Sequence, residues 1–134
     1  MLGAEPIFTI HADLGPIMNL GRTPYGERRI IDITGGTVRG AKLNGRILAG
    51  GADWQIVRSD GAADIQARYT IETDAGARIL VTSDGWRQGP PAGGERGALG
   101  DSVVPSLYYF RTVLRFETSD PAVYWLNRIL ALAR

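Results

Sequence analysis

Two stretches of this chain carry side chains suited to chemistry: Asp53-Trp54, and the run Asp64, Gln66, Arg68, Thr70 and Glu72. In an extended segment successive side chains point to opposite faces, so the second set shares one pleat face, with Ala63, Ile65, Ala67, Tyr69 and Ile71 on the other. A guanidinium at mid-strand is either solvated outside a small fold or buried with a carboxylate, because an unpaired buried charge is too costly. Asp53, Asp64 and Glu72 are the partners on offer for Arg68. An inward pair would anchor an acidic or carbonyl group of a ligand in bidentate fashion, whereas an exposed pair would contribute only about a few tenths of a kcal/mol and serve no site. The reading taken forward is that this polar row looks inward and lines a ligand pocket.

Asp53 follows Gly50-Gly51 and Ala52. Its carboxylate either points into a mouth, or caps a turn while Trp54 fills core. If chemistry follows binding, it is cofactor-free acid–base work, with Asp53 or Glu72 as the base and an arginine stabilising developing negative charge. Tyr109 and Arg111 extend the ligand-binding set of Asp53, Trp54, Arg68 and Glu72, because Tyr108-Tyr109-Phe110 form an aromatic cluster suited to stacking a ring or to filling core.

Other chemistries lack their residues. His11 is the only histidine and cysteine is absent, so no metal site of the common kinds is expected. No G-x-S-x-G occurs, and GGTVRG and GGADW lack the strand-to-helix setting of a phosphate loop. No cofactor is expected.

The elements that must position these residues are strands. Residues 5–13 alternate, with Phe8, Ile10 and Ala12 opposite Thr9, His11 and Asp13; Gly15-Pro16 breaks the pattern, and the segment to Tyr25 reads as a loop. RRIIDIT ends at Gly35-Gly36, a bulge or corner. Asn44–Leu48, QIVRS, Ala63–Thr73 and Arg78–Ser83 follow, the last two paired as a hairpin about Asp74-Ala75-Gly76, and Asp84-Gly85 is expected to end it. Residues 88–105 are rich in glycine and proline, either a lid or disordered. Ser106–Glu117 is the strongest strand, with Tyr108, Phe110, Thr112, Leu114 and Phe116 on one face and Tyr109, Arg111, Val113, Arg115 and Glu117 on the other. Asp120-Pro121 caps a short helical turn. The tail after it either prolongs the helix or returns as a strand.

The class is therefore all-β: a compact antiparallel β-barrel of about eight to ten strands with a short helical turn before the last strand, closed to manage its edges. At 134 residues it is a single domain, 1–134, able to bury about two thirds of the surface its unfolded form exposes. Fifteen Lys and Arg residues against fourteen Asp and Glu leave a charge of +1 without a basic block, which argues against nucleic acid as a partner. No apolar run nears the roughly 18 residues that cross a bilayer, and the absence of cysteine fits a reducing cytoplasm. A small-molecule ligand and a homo-oligomer are the expected partners, the oligomer because the apolar row of the Ala63 strand and the aromatics of the Ser106 strand exceed what one small lumen can take.

GERRIIDITGGTVRGAKLNGRILAGGADWQ, ARYTIETDAGARILV, YYFRTVLRFET and YWLNR resemble, in order, the blocks of the DUF3237 family, also called UPF0311. Together they cover nearly the whole chain. The resemblance implies a compact antiparallel barrel in which Ile129–Ala133 is the closing strand, and it brings no activity with it. Asp74-Ala75-Gly76 stands where a tighter Asp-Gly turn is expected, a departure that touches only the length of that hairpin loop.

Overall fold

The computed structural model describes residues 6–88 and 109–134; of the loop expected at 88–105, Gln88 ends a strand and the rest lies outside the described residues, as do Tyr108 and the side chain of Tyr109. Eight antiparallel strands form one sheet: β1 (Thr9–Thr23), β2 (Gly26–Arg39), β3 (Gly45–Ile47), β4 (Gly51–Val57), β5 (Ala63–Thr73), β6 (Arg78–Gln88), β7 (Tyr109–Glu117) and β8 (Ala131–Ala133). Their order is that of the chain, except that β3 and β4 fill successive halves of one position between β2 and β5. The all-β antiparallel class is thus as expected. No helix among the described residues is long and apolar enough to cross a membrane.

β1 corrects the loop expected before Tyr25. It runs through Gly15-Pro16 to Thr23, with register shifts between Asp13 and Leu14 and between Leu14 and Ile17. An edge strand tolerates proline because the missing N–H would have faced solvent. β6 likewise runs past Asp84-Gly85 to Gln88. Gly85 is needed there for approach rather than for turning, since a Cβ would sit 2.0 Å from the Arg111 carbonyl oxygen of β7. Gly36 does make the expected corner: its φ is +144°, and a Cβ would lie 2.2 Å from the carbonyl oxygen of His11.

The sheet curls on its apolar face. Ala63, Ile65, Ala67, Tyr69 and Ile71 of β5 are buried, and β6 and β7 set Ile79, Val81, Leu114 and Phe116 against them. The rings of Phe8, just before β1, and Phe116 of β7 meet edge to face at 5.9 Å, bringing the start of the sheet onto its last long strand. This corrects the orientation expected for β5: the apolar row is inside and the Arg68 row is outside, because five apolar side chains gain more from leaving water than the charged row would. The same burial removes the β5 apolar row as an oligomer face; exposed apolar side chains lie instead on β1 (Leu14, Met18, Leu20) and at Leu130 and Leu132.

A 3₁₀ helix, Pro121–Arg128, follows β7, with the Asp120 carboxylate accepting from the Ala122 N–H at 2.8 Å as the Asp-Pro signal requires. Val123 and Leu126 are buried from this segment and plug one end of the interior. The tail then returns as a strand, but β8 pairs with β7, from Thr112 opposite Ala133 to Leu114 opposite Ala131, and no pairing of β8 with β1 occurs among the described residues. Its expected role as the closing strand is not the one seen in the hydrogen-bonded ladders.

Candidate functional site

Register decides which side chains share the interior, because directly opposed residues in an antiparallel pair point to the same face. Asp53 of β4 faces Ile31 of β2 and Ala67 of β5, both buried, so its carboxylate is inside. Gln55, opposite Arg29, is fully buried, and Arg29 is 8 % exposed. On β6, Arg87 lies opposite the buried Ala63 and Ser83 opposite Ala67. On β7, Thr112 joins the same face between Phe110 and Leu114. These residues make a polar interior at the end remote from the 3₁₀ plug. Among the predicted site residues whose side chains are described, Asp53 is the one it contains.

The polar groups are linked in series. The Asp53 carboxylate accepts from the Gln55 side-chain amide at 2.9 Å and from the Gln66 backbone N–H at 2.9 Å. Gln55 in turn accepts from Arg87 at 3.3 Å. The pairing of β4 with β5 stops at Asp53–Ala67 and resumes at Ile56–Asp64. Between those points side chains serve the backbone: Asp53 takes the Gln66 N–H from inside, while Arg28 donates to the Trp54 carbonyl at 2.6 Å from outside.

Burial pushes the Asp53 carboxyl above the usual carboxylate range. The Gln66 N–H, the Gln55 amide and the positive charge of Arg87 oppose that shift, in decreasing order, and the negative charge of Asp64 adds to it. Burial also pushes the Tyr69 hydroxyl up to about 12, so it stays protonated at neutral pH.

The other predicted residues lie elsewhere. Arg68 is on the outer face with its side chain 51 % exposed, 3.7 Å from Asp84 of β6. Glu72, also outside, accepts from Arg46 at 2.9 Å and from Arg78 at 3.2 Å; these two bonds hold its carboxyl below the ordinary carboxylate value. Trp54 is 39 % exposed on the outer face, which reverses the alternative of Trp54 in core and Asp53 at a turn. Arg111 is exposed and donates to the Phe110 carbonyl at 2.7 Å. Thr70 of the β5 polar row borders an open depression of about 380 Å³ on the outer face, shared with Arg78, Leu80, Glu117, Thr118 and Ser119. Asp53, Arg68 and Glu72 therefore do not converge. Among the described residues no three His, Cys, Asp or Glu side chains lie together in a way that could hold a metal ion.

Arg29, Gln55 and Arg87 were missed. One signal was available: in GERRIIDI, Arg29 has the same parity as Ile31 and Ile33, so a charge stands in a row otherwise committed to the core.

The profile of the family described as a protein of unknown function, DUF3237, matches residues 2–134. A UPF0311 protein of Rhodopseudomonas palustris is 42 % identical over 129 residues, spanning 96 % of this chain and 84 % of that one. The chain belongs to the DUF3237 family. The DUF3237 fold extends to solved structures: a conserved protein of unknown function from R. palustris superposes with a TM-score of 0.88 at 40 % identity, covering 96 % of this chain and 86 % of that one. A β-barrel-like protein from Acinetobacter baumannii superposes with a TM-score of 0.75 at 43 % identity, covering 96 % and 87 %. More distant from this DUF3237 chain is a hydroalkoxylation enzyme of Penicillium herquei, 24 % identical over 127 residues and spanning 95 % of this chain and 70 % of that one. An enzyme structure from the same organism shares the fold with a TM-score of 0.71 at 24 % identity, covering 98 % and 86 %.

Proposed function

We propose that this DUF3237 chain holds a small, partly apolar acid or carbonyl compound at the polar end of its barrel and moves a proton on it without a cofactor, with Asp53 as the acid–base group. The observation that carries this reading is Asp53 itself, a carboxylate on an inward strand position, oriented by Gln55 and the Gln66 N–H. A carboxyl whose proton affinity is raised by burial exchanges protons with carbon or oxygen acids more readily near neutral pH than an exposed one. Arg29 and Arg87, on the same face, supply positive charge for an oxygen that becomes negative during the reaction.

The distant P. herquei relative supports one member of this reaction class. Hydroalkoxylation adds an alcohol O–H across a carbon–carbon double bond. In such a step the Asp53 carboxylate takes the hydroxyl proton as the oxygen bonds to carbon; the π electrons move onto a conjugated carbonyl oxygen, and the proton is then returned to the neighbouring carbon. Atoms and charge balance without an oxidant or a metal.

The test is ring closure of 2′-hydroxychalcone, whose phenol adds across its own enone. Wild type is expected to accelerate closure over buffer, and Asp53→Asn to lose the acceleration while keeping the ligand-induced rise in melting temperature. Equal turnover by Asp53→Asn removes Asp53 from the chemistry. A melting shift without turnover in wild type reduces the proposal to binding.

A further inference from the structure

Arg29 is a poor residue by stability alone. Its neighbours in the inner row of β2, Ile31 and Ile33, are buried and apolar, and Arg29 itself is buried to the same degree. Its Nε has no hydrogen-bond partner among the described residues. The nearest carboxylate, Glu27, is 3.8 Å from that nitrogen, beyond hydrogen-bond range, and its side chain is 39 % exposed, so solvent screens much of the attraction. The residue directly opposite, Gln55, already spends its amide on Asp53 and its carbonyl on Arg87. A buried guanidinium with an idle donor costs free energy that a methionine of similar length would not.

We infer that Arg29 is the anion-recognition residue of this DUF3237 barrel, holding through its guanidinium edge the ionised oxygen of a small planar organic acid, a carboxylate, enolate or phenolate. The inference rests on the proposed location of the site but not on proton transfer by Asp53. A guanidinium presents planar, directed donors that match such oxygens better than an ammonium does. Charged groups on the described inner face are few. β2 supplies Glu27 and Arg29, β4 supplies Asp53 and β6 supplies Arg87, while the described inner rows of β5 and β7 supply none. Arg22 of β1 lies opposite Glu27, and Asn19 opposite Arg29. Of the two carboxylates in that inner set, Glu27 has a side chain 39 % exposed, and Asp53 already accepts from Gln55 and from the Gln66 N–H. In the reaction proposed above, the same edge receives the oxygen on which the electron pair arrives.

The experiment measures benzoate and its neutral isostere benzamide by titration calorimetry and thermal shift, on wild type, Arg29→Met, Arg29→Lys and Asp53→Asn. Wild type is expected to bind benzoate and to bind benzamide about tenfold or more weakly. Arg29→Met is expected to lose benzoate binding while its ligand-free form melts at or above the wild-type temperature. Arg29→Lys, which keeps the charge and loses the planar edge, is expected to bind benzoate about tenfold more weakly with an unchanged circular dichroism spectrum, so the inference stays testable even if Arg29→Met does not fold. Asp53→Asn is expected to keep benzoate binding; turnover lost there with benzoate retained separates the two roles. The inference is overturned if wild type shows no benzoate-dependent shift at millimolar concentration, or if benzoate and benzamide bind alike. It is equally overturned if Arg29→Met binds benzoate as wild type does, or if that variant folds but melts well below wild type, the mark of a purely structural arginine.

Discussion

At the plugged end of the interior, Ile71, Ile79, Val81 and Leu126 are packed with no exposure; at the other end Gln55 is just as buried, and Arg29 and Asp53 nearly so. The same long strands, β2, β5 and β6, serve both ends, with β3 between β2 and β5 at the apolar end and β4 at the polar end. Depth of burial therefore does not distinguish them. What differs is what burial does: at the apolar end it removes surface from water and stabilises, while at the polar end it desolvates charge and is offset only by the hydrogen bonds running from Gln66 through Asp53 and Gln55 to Arg87. A protein keeps such an arrangement where the polar groups do something besides hold the fold.

The contrast can be broken in order of expected effect. Leu126→Ala or Ile71→Ala at the apolar end should lose about 2–5 kcal/mol of unfolding free energy by urea melts, because each leaves a cavity that the sheet cannot collapse. A loss under about 1 kcal/mol would mean that the plug is loosely packed. Arg29→Met, at the same depth, should have the opposite sign, with stability unchanged or raised on the order of 1 kcal/mol.

Asp53 and Glu72 sharpen the contrast through pH. The folded-state pKa of Asp53 is raised, so its protonated form is the one the fold prefers; that contribution is full below the ordinary carboxylate value and is lost as pH rises through the folded-state value. Glu72 is the reverse: its lowered pKa means a contribution present above the ordinary value and lost as pH falls through the folded-state value. Urea midpoints measured across the acid-to-neutral range should thus have a component falling with pH that Asp53→Asn removes, and a smaller component rising with pH that Glu72→Gln removes. A slope left unchanged by Asp53→Asn would contradict its buried setting. Smallest of all, Arg68→Ala should shift stability by no more than about 0.5 kcal/mol and leave benzoate binding intact, because its pair with Asp84 is long and half exposed.

Much of the scaffold was legible. The bounds of β5 at Ala63 and Thr73, the parity of β7 and the Asp120-Pro121 cap all follow from alternation and local hydrogen-bond chemistry, which act over a few residues. The orientation of β5 was also available, since its apolar row is inside, and the pocket reading of Arg68 ran against that simple rule. β4 is the harder case. Ala52, Trp54 and Ile56 form the more apolar row, so alternation alone would turn them inward, yet Asp53, Gln55 and Val57 hold that side. β1 was obscured by Pro16, which reads as a break unless the strand is known to be an edge.

From its own sequence this protein was determined to be an antiparallel β domain of a recognisable family, because strand alternation, turns and caps are short-range and survive being read one segment at a time. Which face of β4 looks inward, and that Arg29, Asp53, Gln55 and Arg87 meet while Arg68 and Glu72 stay outside, was decided only in the tertiary structure. The reason is that pairing register propagates from strand to strand: β2 and β5 fix the facing of β4 between them, whatever the local pattern of β4 prefers.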